Sequence, residues 1–189
     1  MRVLRSADYR RMPWKNGGGE TQEILVAPAG ATLDTLDWRV SLARVAQDGP
    51  FSVFNGVQRT LCVLRGNGIQ LQTADQTPVD LYVASEPYTF DGAAATSSHL
   101  LDGPIVDLNV MSRRGRFRHH VRRLSFKDSL LLKTAARPLI VYCQRGEVTC
   151  GAETLLSDDS AMFSEPAGHI RLVTNQPTTQ LIVIELFPE

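Results

Sequence analysis

The sequence predicts an all-β protein made of two similar modules, and three observations support this prediction. Short runs rich in Val, Ile, Leu and Thr recur between turn residues, whereas the 3.6-residue periodicity of amphipathic helices is hard to find. The pattern of the first half returns roughly seventy to eighty residues later. Of the 189 residues, 43% are hydrophobic and 21% are charged, which is typical of a folded globular chain.

Strand candidates follow one another along the whole chain. Ten segments combine β-branched or aliphatic residues with flanking turn residues. They are residues 22–27, 37–45, 59–66, 68–73, 78–84, 104–111, 138–146, 161–165, 170–175 and 180–187. The best helical candidate is KDSLLLKTA (127–135), in which Asp128 or Ser129 would cap the helix, but its apolar run fits a strand equally well. We therefore expect few and short helices.

An internal sequence repeat predicts a duplicated architecture. RTLCVLRGNGIQL (59–71) corresponds to PLIVYCQRGEVTC (138–150), since both contain an apolar strand, an Arg-Gly turn and a second apolar strand. We place the modules at 1–115 and 116–189 and expect one compact unit. A β-module of this length must close or cover its edges, so a barrel, a jelly roll or a sandwich is expected. An immunoglobulin-like sandwich is disfavoured because a Cys…Trp…Cys pattern is absent.

Charge and cysteine usage narrow the classes of function. Twenty basic residues balance twenty acidic ones, so no overall field attracts nucleic acid or an anionic membrane. The chain contains no run of eighteen apolar residues, and its start lacks the apolar core of a signal peptide. We expect a cytoplasmic protein without a membrane partner. Cys62, Cys143 and Cys150 have no CxxC spacing, and we interpret them as reduced core thiols.

Two strand candidates alternate so that polar side chains share a face. Asp107 and Asn109 do so in residues 104–111, and Arg39 and Ser41 do so in residues 37–45. Such a face is either solvated, as is common in antiparallel sheets, or lines a cavity. A third interpretation is that Arg39 and Asp107 form a compensated buried pair.

Three further segments could contribute to the same cavity. WKNGGGET (14–21) is either a surface turn or a segment where the backbone approaches a ligand, with Trp14 as an apolar wall, Lys15 as a local charge, and Asn16 and Gly18 in contact. Phe51 lies among turn residues, where a Phe is more often a loop anchor than a ligand contact. Arg59 begins the next strand and is long enough to reach the same space.

The strand, Arg-Gly turn, strand pattern, followed by EPAGHIRL (165–172), resembles the cupin family of small double-sheet barrels, so the expected fold is a bicupin. Many cupins hold a metal through two His on one strand, a Glu and a third His. The expected HxH is absent from both repeats, and His99, His119, His120 and His169 do not supply a ligand set. We therefore expect no metal and no cofactor.

MPWKNGGGETQEI (12–24), residues 36–71 and GPIVDLNVMSRRG (103–115) together resemble the HutD/Ves family. The resemblance implies a cytoplasmic bacterial bicupin associated, in its HutD branch, with histidine utilisation and acting by binding a small pathway metabolite. It also favours a cavity, rather than a solvated face, for Asp107 and Asn109. The family brings no established reaction.

Three functional hypotheses follow. The first is a sensor or governor that binds a small carboxylate such as urocanate or formylglutamate, because an Arg fork suits a carboxylate and Asn and Ser suit a second polar end. The second is a metal-independent isomerase or hydrolase with Asp107 as general base and Arg39 stabilising negative charge. The third is an adaptor using RRGRFRHHVRR (113–123), which we interpret as a solvated connector or homodimer contact rather than a nucleic-acid site.

Overall fold

The computed structural model describes residues 1–14, 17–74, 76–165 and 168–189. These residues form nineteen strands and one short 3-10 helix, Ser6–Asp8. The strands are β1 (Arg2–Leu4), β2 (Arg10–Pro13), β3 (Gly19–Ala27), β4 (Trp38–Val45), β5 (Gly49–Pro50), β6 (Val57–Arg65), β7 (Ile69–Thr73), β8 (Val79–Leu81), β9 (Tyr88–Asp91), β10 (Thr96–Leu100), β11 (Ile105–Arg113), β12 (Phe117–Phe126), β13 (Ser129–Lys133), β14 (Leu139–Arg145), β15 (Glu147–Cys150), β16 (Glu153–Leu156), β17 (Ser160–Phe163), β18 (His169–Val173) and β19 (Thr179–Pro188). The predicted all-β fold class is confirmed.

The one helical candidate of the sequence is a strand. Within residues 127–135 the structure has β13, which pairs antiparallel with β18. Burial alternates with a period of two, because Leu132 is 3% exposed whereas its neighbour Leu131 is 53% exposed. The helical interpretation is therefore wrong, and cross-strand pairing decides the conformation of this apolar run.

The described chain divides into two compact units. The first unit is Arg10–Arg118, and the second comprises Met1–Tyr9 together with His119–Glu189. The sequence-based modules, 1–115 and 116–189, differ from these units at residues 116–118 and in the first nine residues, which belong to the second unit because β1 pairs with β17. No described helix is long and apolar enough to span a membrane.

The first unit consists of two antiparallel sheets with a core between them. The larger sheet has the strand order β2-β3-β4-β11-β6-β9, and the smaller has the order β5-β10-β7-β8. The core joins inward-facing residues of both sheets: Val45, Leu61, Val63, Ile69, Leu71, Leu81, Phe90 and Ile105. Because β4, β6 and β11 are neighbours in the larger sheet, residues of matching phase on these strands face the same interior.

The second unit repeats this arrangement with an apolar interior. Its sheets have the orders β1-β17-β14-β19-β12 and β13-β18-β15-β16. The core contains Leu132, Leu139, Val141, Cys143, Val148, Cys150, Leu155, Ala161, Ile170, Leu172, Leu181 and Val183. Two of the three cysteines are thus core residues here, and all three are buried and not in a disulfide, in agreement with their interpretation as reduced thiols.

Candidate functional site

A cavity of about 620 Å³ lies in the first unit and is lined by residues from several strands of the larger sheet. Eight of the nine sequence-predicted site residues line it: Trp14, Gly18, Arg39, Ser41, Phe51, Arg59, Asp107 and Asn109. Asn16, the ninth, lies outside the described residues, as does Lys15. The structure therefore brings eight of the nine predicted residues together, while their contact with a ligand stays a prediction.

Strand register explains why these side chains converge. On β11, Asn109 lies opposite Ser41 of β4 and opposite Leu61 of β6. Met111, two residues further along the same face, lies between Arg39 of β4 and Arg59 of β6. Because the side-chain period of a strand is two, one register places all the polar residues on the inward face.

The solvated-face interpretation of these residues is wrong. Asp107 is 1% exposed and Asn109 is 7% exposed, and Ser41 is also buried. Leu108, which has the opposite phase on β11, is buried as well. The core residue Ile105 shares the phase of Asp107, so the polar residues continue the interior of the unit rather than forming an outer surface.

Three aromatic rings surround the guanidinium group of Arg59. Its Cζ atom lies 5.0 Å from the ring centroid of Phe51, 5.4 Å from that of Phe54 and 5.0 Å from that of Phe90. Its Nη1 donates a hydrogen bond to the carbonyl oxygen of Ser52 at 3.3 Å. Burial lowers the pKa of Arg59 to about 10, so the group keeps its charge at neutral pH.

Arg39 is paired within the protein. Its Nε donates to Oε2 of Glu23 at 2.7 Å, and both side chains are largely buried. The alternative interpretation, in which Arg39 forms a compensated pair with Asp107, is therefore wrong. The cation whose field acts on Asp107 is Arg59. Arg39 and Glu23 form a neutral pair at the wall, which leaves Arg59 as the charged donor whose pairing is incomplete among the described residues.

Asp107 is a buried carboxyl group with an unusual pKa. Burial raises this pKa to about 7, although the nearby charge of Arg59 acts in the opposite direction. Three buried polar atoms have no hydrogen-bond partner among the described residues: Nε of Arg59, Oδ1 of Asp107 and Oδ1 of Asn109. All three belong to residues that line the cavity.

Two glycines of the WKNGGGET segment have a structural explanation. Gly17 has φ +71°, a conformation that favours glycine, and its N–H donates to the carbonyl oxygen of Trp14 at 3.0 Å. A Cβ on Gly19 would overlap the carbonyl oxygen of Arg44 and lie 2.9 Å from Cζ3 of Trp14. The indole Nε1 of Trp14 donates to Thr21 at 2.8 Å, which holds the ring against the cavity. Gly18 is the member of the run that lines the cavity.

The four histidines lie on strands β10, β12 and β18. His120, on β12, approaches Oε2 of Glu185 at 3.3 Å. Burial lowers the pKa of the adjacent His119 to about 4, so this imidazole is neutral at neutral pH. Within residues 1–14, 17–74, 76–165 and 168–189, no group of three or more His, Cys, Asp and Glu side chains is arranged to hold a metal ion.

The Arg-rich stretch 113–123 supplies internal hydrogen bonds. Nε of Arg113 donates to the carbonyl oxygen of Leu36 at 2.8 Å, and its Nη2 donates to that of Asp34 at 2.8 Å. Nε of Arg122 donates to Oε2 of Glu185 at 3.1 Å. These arginines hold loops and neighbouring strands of their own unit.

Sequence reasoning missed two residues that complete the site. Glu23 neutralises Arg39, and Phe90 stacks on Arg59. Phe54, which lies with Phe51 among the turn residues noted in the sequence, also stacks on Arg59. The sequence does carry a signal for Glu23. It lies on the predicted strand 22–27, two residues after Thr21, so the side chains of Thr21 and Glu23 are expected on the same face of an extended chain. Nothing local indicates that Phe90, thirty-one residues from Arg59, contacts it.

Comparison with known proteins identifies the family. The HutD family profile matches residues 6–182. Among relatives, a 21.2 kDa protein from the hutC 3′ region of Pseudomonas putida is 36% identical over 148 residues, covering 78% of this chain and 76% of that protein. Protein Ves of Citrobacter koseri is 33% identical over 183 residues, covering 95% and 92%.

Solved structures agree with this assignment. HutD from Pseudomonas fluorescens SBW25 is 33% identical to this chain, with a TM-score of 0.85 over 100% of this chain and 98% of that one. Three more distant solved structures have the cupin fold: YhhW and Ylba from Escherichia coli (8% and 9% identity, TM-scores 0.74 and 0.72) and an oxalate decarboxylase from Lactobacillus farciminis (7%, 0.69). These likenesses confirm the predicted bicupin architecture. On the profile match and these identities, the chain belongs to the HutD family.

Proposed function

We propose that this protein binds a small metabolite bearing a carboxylate in the cavity of the first unit. The single observation that carries the proposal is that three residues lining a cavity of about 620 Å³, Arg59, Asp107 and Asn109, each have a buried polar atom without a partner among the described residues. Buried polar groups in folded proteins are nearly always hydrogen-bonded, so an orphaned cluster at a cavity supports a ligand as the missing partner.

Arg59 is suited to the anionic end of such a ligand. The three rings hold the guanidinium plane in place, so little conformational entropy is lost on binding. An Arg fork matches a carboxylate in shape and charge. Because Arg39 is already neutralised by Glu23, Arg59 provides the attraction for an anion.

Family membership favours a ligand from histidine utilisation. The similar P. putida protein is named for the hutC region, and the similar P. fluorescens structure is named HutD. Urocanate and formylglutamate, both small carboxylates, are the candidate ligands, and a cytoplasmic sensor or governor of the pathway is the proposed role. A metal ion or cofactor is not part of this proposal.

The proposal is tested by isothermal titration calorimetry and thermal unfolding with both compounds. We expect saturable binding and a raised Tm, since a ligand that binds only the folded state stabilises it. Replacing the charged fork in Arg59→Met should weaken binding at least about tenfold, because a hydrogen bond to a charged group is lost.

The matched control is Arg10→Met, which removes one positive charge from an exposed position of β2 in the same unit. Affinity in this variant should equal that of the wild type. Equal losses in both variants would show that only the overall charge matters, and the absence of binding by the wild type to any carboxylate would overturn the proposal.

A metal-independent enzyme is the second candidate, and one observation favours it. The pKa of Asp107 is raised to about 7, which suits a group that both accepts and donates a proton near neutral pH. Turnover of a candidate carboxylate by the wild type, lost in Asp107→Asn while binding persists, would support this function over binding alone.

A further inference from the structure

We propose that residues 47–52, which we call the mouth segment, form a movable wall of the cavity, and that Asp48 holds this wall closed by binding strand β10. The inference rests on the proposed function, because it concerns how a small molecule enters and leaves the same cavity. It makes Asp48 a positioning residue, which acts through the segment that it fastens.

The mouth segment is one wall of the cavity and is loosely attached to the sheets. Every residue from 47 to 52 lines the cavity. Other walls come from β4, β6 and β11, each of which pairs with a neighbour on both sides. The mouth segment contains only the two-residue strand β5, which pairs with β10 along one edge. It therefore has fewer main-chain hydrogen bonds to resist its movement than the central strands have.

Asp48 is the side chain that fastens the mouth segment. Its Oδ1 accepts a hydrogen bond from the N–H of Leu100 at 2.7 Å, and its Oδ2 lies 2.5 Å from Nδ1 of His99. Both partners lie on β10, where Ser98 pairs with Gly49. The hydrogen bond from Leu100, and then that from His99, lowers the pKa of Asp48, so the side chain is a charged acceptor. One carboxylate thus continues the attachment to β10 beyond the two paired residues.

The mouth segment covers the cation of the cavity. The ring of Phe51 lies against the guanidinium group of Arg59, and the carbonyl oxygen of Ser52 accepts a hydrogen bond from its Nη1. Arg59 is only 7% exposed, and its Nε has almost no accessible surface and no partner among the described residues. A molecule in solvent therefore reaches little of this group while the segment is in place. Movement of residues 47–52 would remove one ring and one carbonyl oxygen from the guanidinium group and uncover it.

The residues at the two ends of the mouth segment are anchored independently of Asp48. The N–H of Ala46 donates to the carbonyl oxygen of Gly18 at 2.9 Å, and the N–H of Phe54 donates to that of Gly92 at 2.7 Å. These hydrogen bonds lie outside residues 47–52. Loss of the Asp48 bonds should therefore loosen the wall between two fixed ends and leave the rest of the unit folded.

Hydrogen–deuterium exchange of the free protein tests the attachment without any ligand. Asp48→Ala should raise the exchange rates of the N–H groups of residues 47–52 and of Leu100 at least about fivefold, because two hydrogen bonds to a charged group are lost. Strands β4 and β11 should keep their wild-type rates. Asp48→Asn retains an acceptor oxygen for Leu100 and should give intermediate rates.

The matched control for exchange is Asp80→Ala. Asp80 is an exposed carboxyl group of the same smaller sheet, and its Oδ1 accepts a hydrogen bond from Nε2 of Gln70 at 2.8 Å. The variant thus loses a charge and a hydrogen bond of the same sheet away from β10. Exchange in residues 47–52 should equal that of the wild type.

A reversible cross-link tests whether molecules pass the mouth segment. Positions 48 and 99 follow the paired residues Gly49 and Ser98, so they lie opposite each other within reach of a disulfide. The native cysteines are buried and do not compete. We expect the oxidised protein with Asp48→Cys and His99→Cys to bind and release formylglutamate and urocanate at least about tenfold more slowly than its reduced form, with a Kd changed less than about threefold. Stopped-flow mixing measures both rates.

The outcomes separate this inference from the proposed function. Wild-type exchange of residues 47–52 in Asp48→Ala, or an equal rise in β4 and β11, would overturn the inference. Equal rates for the oxidised and reduced forms, with a compound that the wild type binds, would overturn it as well. If the wild type binds neither compound, the proposed function fails, whereas the exchange comparison still decides whether Asp48 holds the segment closed.

Discussion

Arg59 and Asp107 place two opposite charges in one buried space without a direct ion pair between them. The rings of Phe51, Phe54 and Phe90 solvate the cation through their faces, which reduces the cost of burying it. No comparable group solvates the carboxyl of Asp107, whose Oδ1 has no partner among the described residues. Its charge is therefore the costly one.

We expect Asp107 to make stability fall as pH rises. Its pKa increases from 3.8 in an unfolded chain to about 7 when folded, so between these values the folded state holds a proton that the unfolded state has released. Stability is lost through this window, up to about 4 kcal/mol, and Asp107→Asn should not show the loss. Urea unfolding at pH 4.5 and pH 8 measures the difference.

The control for this prediction is Asp34→Asn, which changes an exposed carboxyl group of the same unit. It should follow the wild type at both pH values. If the wild type and Asp107→Asn differ by the same amount at pH 4.5 and pH 8, the raised pKa of Asp107 is contradicted.

At the scale of elements, β3 begins at a glycine because two neighbours occupy the space of a side chain. Gly19 pairs with Val45 of β4, and its Cα faces the carbonyl oxygen of Arg44 and the indole of Trp14. The glycine therefore sets both the start of a strand and the position of one wall of the cavity. This accounts for part of the glycine run in physical terms that involve no ligand.

Gly19→Ala should destabilise the protein by at least about 2 kcal/mol, because the new Cβ forces backbone or indole to shift in a packed region. Gly30→Ala is the matched control: Gly30 has φ +79° with open space around it, so only backbone strain of about 1 kcal/mol is expected. Denaturant unfolding compares the two variants. A smaller loss for Gly19→Ala than for Gly30→Ala would contradict the close-approach explanation.

At the scale of the whole molecule, the two units use one architecture for different purposes. The positions of Arg59, Asp107 and Asn109 correspond, by distance from the Arg-Gly turn and by register, to Leu139, Leu181 and Val183. The first set lines a cavity, whereas the second set is packed in a core. The two units therefore share their strand pairing and differ in the residues that fill the interior.

This difference predicts one ligand per chain. Calorimetric titration with the tighter-binding carboxylate should give a stoichiometry near one, since the second interior offers hydrocarbon in place of a charged fork and acceptors. The Arg59→Met variant serves as the control. If one site per chain accounts for all the binding heat, this substitution should reduce the whole of that heat rather than half of it. A stoichiometry near two would contradict the assignment of the second unit as a closed core.

The sequence by itself determined the fold class, the duplication and eight of the residues that line the cavity. Alternation with a period of two depends only on local backbone geometry, so the shared phase of Asp107 with Asn109 and of Arg39 with Ser41 could be read directly. The family could be recognised too, because its motifs are contiguous in the chain.

Only the tertiary structure decided which groups are paired and which are left open. The sequence could not show that Glu23 pairs with Arg39 or that Phe51, Phe54 and Phe90 surround Arg59. Nor could it decide that residues 129–133 form a strand. Each of these features depends on contacts between residues far apart in the chain. A ligand site is defined by what the folded protein leaves unsatisfied. Which polar groups are left without a partner is decided only when all the strands have paired.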